Sequence, residues 1–278
     1  MTRHVRTGLI ALMLGLCGVV LHARGGWQPA IRSGHSADIP AVAVRGTNFE
    51  VTLPDGRVLT GAELKGAVLT LDDGQGGDLI VRIDAVEPDL KDPWNELLLY
   101  TLSTPDLATG GWRSLCSPDA EGVAKGFPVA GRWTASGAHV AAEGTFLITC
   151  TVGAIGKCVR FGYHPWRTTA DGVSLWDHHQ ACVRMVRADY CGDGQGHTRN
   201  GTPINLYDCV GVQAPDPVPA MHFEAAWAKD GAACVRKTRL AEVYSLEALA
   251  AACSRLQDRL GEYCSENDAT ALLFNRSY

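Results

Sequence analysis

Short stretches that alternate apolar and polar residues dominate the first part of the chain. Between residues 41 and 108 they are separated by turn sequences such as Pro54-Asp55-Gly56 and the glycine-rich segment 72–77. A period of two is typical of strands that bury one face, and Gly, Pro and Asp between them favour tight turns. The pattern predicts a small antiparallel β-rich unit over residues 41–108, with strands at 47–53, 67–71, 79–86 and 97–102.

The later part of the chain, residues 109–278, mixes strand and helix patterns. Ser245 is a good helix N-cap, Glu247 lies in the first turn that would follow, and Gly261 comes just past the end. The fold class we predict is α+β: the small antiparallel β-rich N-terminal unit followed by a disulfide-braced α+β domain. The elements predicted for that domain are a strand at 144–152, helices at 153–161, 175–190 and 245–260, and a hairpin over 221–236.

The first 23 residues have the organisation of a secretory signal peptide. Arg3 and Arg6 precede an apolar run at 9–21, and small or polar residues follow it. The run contains glycines and is shorter than the roughly 20 apolar residues of a membrane span. We therefore expect export, cleavage near Ala23, and no transmembrane helix in the mature chain.

Two further features of the N-terminus concern lipid attachment and flexibility. Cys17 could accept a lipid, but Leu16 immediately before it is too large for that signal, so the sequence disfavours a lipoprotein. Residues 24–40 are rich in Gly, Ser and Pro and lack periodic apolar positions, which predicts a flexible lead-in. The protein would then be periplasmic, on the outer surface, or extracellular.

Cysteine usage supports export. The chain has ten cysteines, and nine of them follow the predicted signal. Such usage is typical of chains that close disulfides in an oxidising compartment. No two cysteines have CxxC spacing, which favours disulfides over a zinc or redox site. Because nine is odd, at least one cysteine has no partner within the chain, and the sequence leaves open which cysteines pair with each other. The cysteines that we expect to be structural are Cys116, Cys150, Cys158, Cys182, Cys191, Cys234, Cys253 and Cys264.

Charge and motifs exclude several functions. The formal net charge is −5, and it becomes more negative when Arg3 and Arg6 leave with the signal, so nucleic acid is not an expected partner. The sequence has no Gly-x-Ser-x-Gly elbow, His-Glu-x-x-His pair or phosphate loop. The aromatic tetrapeptide at 163–166 is interpreted as the edge of a core rather than a ligand platform.

Residues 184–208 combine acids, a cysteine, a histidine and glycines, and they hold most of the candidate chemistry. At about 100° per residue along the predicted helix, Asp189 falls on the apolar face, whereas Arg184 and Arg187 point away from it. A carboxylate there is disfavoured by burial and by the negative end of the helix dipole. We therefore expect Asp189 to accept hydrogen bonds from the backbone of the turn at 192–196.

Three interpretations of this stretch stay open. In the first, Asp189 is a structural staple that organises a turn built on Gly192 and Gly194, with Cys191 tying the turn down and Gly192 ending the helix. In the second, Asp189 and Asp193 are ligands of a calcium ion, although EF-hand spacing is absent. In the third, some of these groups form an acid/base site. The catalytic candidates are Asp189, Asp193, His179 and His197.

Three separated blocks resemble the bacterial ADYC domain family, in the family's order. They are KCVRFGYHPW at 157–166, HQACVRMVRADYCGDGQGHTRNGTPI at 179–204 and FEAAWAKDGAACV at 223–235. The family is named after the residues that stand here as Ala188-Asp189-Tyr190-Cys191. The resemblance covers roughly Cys116 to the C-terminus. It implies an ADYC-like domain within 109–278 and an exported or envelope-associated protein, and it assigns no catalytic residues.

Taken together, these features favour an exported cell-envelope protein that acts as a binding or structural component and needs no cofactor. One alternative is a secreted hydrolase with an Asp/His site around Asp189, Asp193 and His197. Another is an adhesive module stabilised by calcium. A filled core around Asp189 would count against the hydrolase, whereas a cleft there would favour it.

Overall fold

Three ranges of the chain are described by the computed structural model: residues 41–74, 76–119 and 121–278. The predicted signal peptide at 1–23 and the predicted lead-in at 24–40 lie outside the described residues. Within those three ranges, no helix is both long and apolar enough to cross a membrane.

A three-stranded antiparallel sheet opens the described chain, and a short 3-10 turn at Gly61–Leu64 follows it. Phe49 on its central strand is fully buried and meets the rings of Tyr100 and Phe146 edge-on, at centroid distances of 5.2 and 5.8 Å. These two rings belong to the next sheet, so both sheets share one core. The three strands are β1 (Ala41–Arg45), β2 (Asn48–Thr52) and β3 (Val58–Thr60).

A six-stranded antiparallel sheet forms the centre of the N-terminal half. Its order is β11-β8-β6-β5-β4, with β7 also paired to β6. Because β8 and β11 come after residue 108, the sheet crosses the predicted boundary at that position. The strands are β4 (Val68–Asp72), β5 (Asp78–Pro88), β6 (Leu98–Pro105), β7 (Trp112–Ser114), β8 (Gly126–Ala130) and β11 (Phe146–Cys150); β9 (Arg132–Trp133) and β10 (His139–Val140) form a separate small ladder.

The C-terminal half packs a helix pair against a four-stranded antiparallel sheet of order β12-β15-β13-β14. Helix α2 contacts β13, β14 and β15, and α1 packs on α2. The predicted hairpin is β13 and β14, and the predicted α+β class is confirmed. The elements are α1 (Ala154–Arg160), α2 (Trp176–Arg187), β12 (Asn205–Asp208), β13 (His222–Ala228), β14 (Gly231–Val235), α3 (Leu246–Ala252) and β15 (Leu273–Ser277), with 3-10 turns at Ser254–Leu256 and Gly261–Tyr263.

Two helix ends differ from the prediction. Helix α2 stops at Arg187 rather than at 190, because Ala188 takes a left-handed conformation, so Gly192 does not end the helix. Helix α3 stops at Ala252 rather than at Leu260, since the next residue, with φ −131° and ψ 84°, leaves the helical conformation. The predicted start of α3 is confirmed: the Ser245 hydroxyl accepts the Ala248 N–H at 3.2 Å.

Three disulfides stabilise the chain from residue 116 onward, so six of the nine cysteines in this range are paired. Cys116–Cys150 joins the loop before β8 to the end of β11, Cys158–Cys182 ties α1 to α2, and Cys234–Cys264 ties β14 to the last 3-10 turn. The cysteines outside these three disulfides in the described chain are Cys191, Cys209 and Cys253. Two of these, Cys191 and Cys253, were expected to be structural.

Removing one bridge should destabilise the protein. The double variant Cys158→Ala/Cys182→Ala should lose about 2 to 4 kcal/mol of unfolding free energy, because the unfolded chain regains the freedom of a closed loop. Denaturant unfolding measures this. The exposed Cys209→Ala is the control and should shift the midpoint very little; equal effects in both variants would contradict the prediction.

Candidate functional site

The end of helix α2 turns Asp189 back into the protein. Ala188 has φ 50° and ψ 43°, a conformation uncommon for alanine, and its N–H bonds to the carbonyl oxygens of Arg184 and Met185. The N–H of Asp189 is donated to the Arg184 carbonyl at 2.9 Å, and the Asp189 side chain is fully buried. Asp189 thus lies just beyond the end of the helix. The helical wheel, at about 100° per residue, had placed it on the apolar face of the helix.

Both carboxylate oxygens of Asp189 are occupied by partners. Oδ1 accepts the N–H groups of Gly192 and Asp193 at 2.9 and 3.1 Å, and Oδ2 accepts that of Gly194 at 3.0 Å. Oδ2 also lies 2.5 Å from Nη1 of Arg184. Four contacts use about all the acceptor capacity of an ionised carboxylate. The predicted burial of Asp189 and its bonding to the turn are confirmed.

Two glycines make this turn possible. Gly192 and Gly194 have φ of 75° and 89°, where side chains are disfavoured. A Cβ on Gly192 would stand 1.9 Å from the Asp230 carbonyl oxygen, and one on Gly194 would stand 3.1 Å from those of Ala135 and Ser136. The turn is therefore pressed against two other segments of backbone, and both positions require glycine.

Arg184 is the partner that the helical wheel missed. Its side chain is 2% exposed, and it donates to the carbonyl oxygens of Ser136 and Lys229 as well as to Asp189. The wheel assumed one covered face, whereas the structure buries every residue from His178 to Met185 and thus covers the helix all round. The prediction that Arg184 points away from the core is therefore wrong.

A second buried ion pair holds the residue after Asp189. Tyr190 donates its hydroxyl to Glu224 at 3.1 Å and accepts the Arg239 N–H at 2.8 Å. Arg239 binds both oxygens of Glu224, at 3.0 and 2.9 Å, and caps α2 through the carbonyls of Met185 and Val186. Burial raises the pKa of Tyr190 well above its usual value, so the hydroxyl stays a donor.

Two of the other candidates, Asp193 and His197, have structural contacts of their own. Asp193 is exposed, and its Oδ1 accepts the Gln195 N–H at 2.9 Å. The ring of His197 stacks on Tyr244 with centroids 3.8 Å apart. Burial lowers the pKa of His197, against the opposing charges of Asp193 and Asp189. His197 is therefore a neutral stacking group near neutral pH.

His179 lies in a separate aromatic cluster. Its Nε2 is 3.3 Å from the Ile155 carbonyl oxygen, so that nitrogen carries the proton, and burial lowers its pKa to about 3. His139 lies 5.8 Å away, stacked between Trp133 and Trp176 at 4.0 and 3.8 Å. Burial lowers the pKa of His139 to about 4. The Asp193 N–H donates to Asp189 Oδ1, but within the described ranges no hydrogen bond or ion pair between side chains joins the four catalytic candidates.

The aromatic tetrapeptide joins the two halves of the protein. His164 is fully buried; its Nδ1 lies 2.7 Å from Glu96 and its Nε2 lies 3.1 Å from Asp92. Trp166 also donates to Glu96, at 3.0 Å. Burial alone would raise the pKa of Glu96, but hydrogen bonds from His164 and Trp166 hold it below its usual value. Sequence reasoning missed Asp92 and Glu96, since nothing local links them to residue 164.

A cleft of about 340 Å³ lies away from all of these groups, between β5, the segment 119–125 and α1. Two ion pairs lie along its wall: Arg160 with Asp89, and Lys125 with Glu87. No catalytic candidate lines it. Across the described residues, no three His, Cys, Asp or Glu side chains are grouped closely enough to hold a metal ion.

The sequence profile of the ADYC domain matches residues 61–241, more than half of the chain. The chain belongs to the ADYC domain family. The match starts well before Cys116, where the resemblance was expected to begin, and it ends before the C-terminus. Comparisons with curated proteins and with solved structures gave no match.

The structure gives each residue of the ADYC tetrapeptide a contact in the interior. Ala188 is the left-handed cap, Asp189 binds the turn, and Tyr190 joins the Glu224–Arg239 pair. Cys191 presents its carbonyl to Arg255 and its side chain to Cys253. These contacts fix the end of α2 against the β13–β14 hairpin.

Asp189→Asn should be strongly destabilising. It removes one member of a buried ion pair and leaves Arg184 without its counter-charge, a change that costs about 3 to 5 kcal/mol in other proteins. Asp193→Asn is the matched control, because that carboxylate is exposed; it should cost less than about 0.5 kcal/mol. Denaturant midpoints with and without a chelator measure both. A wild-type midpoint for Asp189→Asn in chelator would contradict a structural role.

Acid should weaken the fold through the buried histidines. The pKa values of His139 and His179 fall from about 6.5 unfolded to about 4 and 3 folded, so the unfolded state binds more protons below pH 6.5. The contribution of these neutral histidines to the free energy of unfolding is present above pH 6.5 and is lost as pH falls toward 4. His139→Gln and His179→Gln should flatten the dependence of unfolding free energy on pH, whereas the exposed His222→Gln should not. Identical slopes in all variants would refute this account.

Proposed function

We propose that the chain is an exported, disulfide-stabilised component of the bacterial cell envelope with a binding or structural role rather than a catalytic one. The observation that carries the proposal is the set of three disulfides, in which five of the six cysteines are buried. Bridges of this kind persist where no cellular reductant keeps thiols reduced. The predicted signal at 1–23 would direct the chain to export across the inner membrane.

The state of the candidate groups supports a non-catalytic role. A general acid or base has to reach the proton that it transfers. Asp189 is fully buried and its oxygens are taken up by Arg184 and the turn, while His179 is fully buried against α1. His197 is engaged in stacking. These contacts favour a structural interpretation over the hydrolase built on Asp189, Asp193 and His197.

The same contacts bear on calcium. A calcium site needs several oxygen ligands that face a common point. The Asp189 oxygens face backbone N–H groups and a guanidinium, and the Asp193 oxygen that forms a bond accepts from Gln195. We therefore propose that the fold forms without a calcium ion, in preference to the calcium-stabilised adhesive module.

Export is tested with a reporter that is active only outside the cytoplasm. Alkaline phosphatase fused after residue 40 should be active in a bacterial host, because residues 1–23 should carry it across the inner membrane. Leu14→Arg places a charge in the apolar run and should abolish the activity. Arg32→Leu, beyond the predicted signal, is the control and should leave the activity unchanged. Inactive wild-type fusion at normal expression would overturn the proposed export.

A further inference from the structure

The cysteine of the ADYC tetrapeptide lies beside another reduced cysteine. Burial and the neighbouring Cys253 thiol both raise the pKa of the Cys191 thiol. Cys191 lies in the glycine turn after Asp189 and is partly buried, whereas Cys253 follows the last residue of α3 and is 6% exposed. Both side chains pack in the core cluster beneath α2.

Independent contacts hold these two backbone segments together. Arg255, two residues beyond Cys253, donates to the carbonyl oxygens of Tyr190 and Ala232, each at 2.6 Å. It also reaches the Cys191 carbonyl at 3.4 Å. The juxtaposition of the two cysteines therefore does not depend on the thiols alone, because the Arg255 guanidinium keeps the segment after α3 on the turn whether or not a bond joins the sulfurs.

We propose that Cys191 and Cys253 form a fourth disulfide in the exported protein, a modification that rests on the proposed export. Six of the other seven cysteines from residue 116 onward are already paired, and the seventh, Cys209, is exposed on the turn after β12. Four bridges account for eight of the nine cysteines. Cys209 is then the thiol that remains.

Closing the bond is a two-electron oxidation by a disulfide-bearing oxidant, either a small-molecule disulfide or an oxidising protein of the compartment. Cys191, the more accessible thiol, loses its proton and attacks a sulfur of the oxidant, releasing one thiol and forming a mixed disulfide. Cys253 then loses its proton and attacks the Cys191 sulfur, releasing the second thiol. Two protein thiols become one disulfide, and the oxidant's disulfide becomes two thiols.

The surroundings suit a permanent bridge rather than a reversible redox centre. Burial raises the pKa of the Cys191 thiol to about 12, so little thiolate is present at neutral pH. Redox-active cysteines depend on the opposite, a lowered pKa and ready access. The bridge would tie the end of α3 to the turn that Asp189 organises, and so stabilise both.

Peptide mapping of the full-length protein tests the bridge. One sample is isolated from an exporting host, and a second is incubated in a glutathione redox buffer; both are alkylated under denaturing conditions before digestion. We expect a cross-linked peptide pair that contains Cys191 and Cys253, with free thiols beyond the signal reduced from three to one, the remaining one being Cys209. Cys209→Ser should keep the cross-link, and Cys253→Ser should free Cys191 for alkylation.

The two samples separate the bridge from the export. A cross-link in both samples supports the bridge. A cross-link only in the redox buffer also supports it and counts against export to an oxidising compartment. Full alkylation of Cys191 and Cys253 in both samples, or a bond from either of them to Cys209, would overturn the bridge even if export is established. Peptide mapping does not require either variant to fold, since the wild-type protein decides the result.

Discussion

The buried pair of Asp189 and Arg184 is the interaction on which the rest of the C-terminal half depends. A charge removed from water is costly unless its partners replace the lost hydration, and here one guanidinium and three backbone N–H groups do so. The same contacts fix where α2 ends and how the glycine turn folds. Because Arg184 also reaches the Ser136 and Lys229 carbonyls, the pair fastens α2 to the loop before β10 and to the β13–β14 turn.

Arginine side chains that bind backbone carbonyls recur around this pair. Arg239 caps the last turn of α2 and pairs with Glu224, and Arg255 spans the carbonyls of Tyr190 and Ala232. A planar guanidinium with five donors suits such positions, where several carbonyl oxygens converge. The polar groups that make residues 184–208 resemble an active site are thus largely occupied in holding chain segments together.

The N-terminal sheets contact the half of the protein that carries the ADYC tetrapeptide. Strands β8 and β11 continue the six-stranded sheet beyond residue 108, and His164 inserts between Asp92 and Glu96. The family profile spans 61–241 and so covers both sides of this junction. The boundary predicted at residue 108 follows the local alternation of apolar positions, whereas the sheet follows hydrogen bonding between strands that are distant in sequence.

The sequence by itself determined the local features. Alternating apolar positions located β2, β4, β5, β6 and the β13–β14 hairpin, Ser245 began α3, and glycines after an isolated acid indicated that Asp189 binds a turn. Each of these depends on neighbours within a few residues. Only the tertiary structure decided the partners: Arg184 faces inward because other segments cover α2 all round, Glu224 and Arg239 meet Tyr190 through sheet packing, and Cys191 meets Cys253 through the docking of α3. Periodicity describes a single face of one element, while these contacts arise where several elements that are distant in sequence pack together.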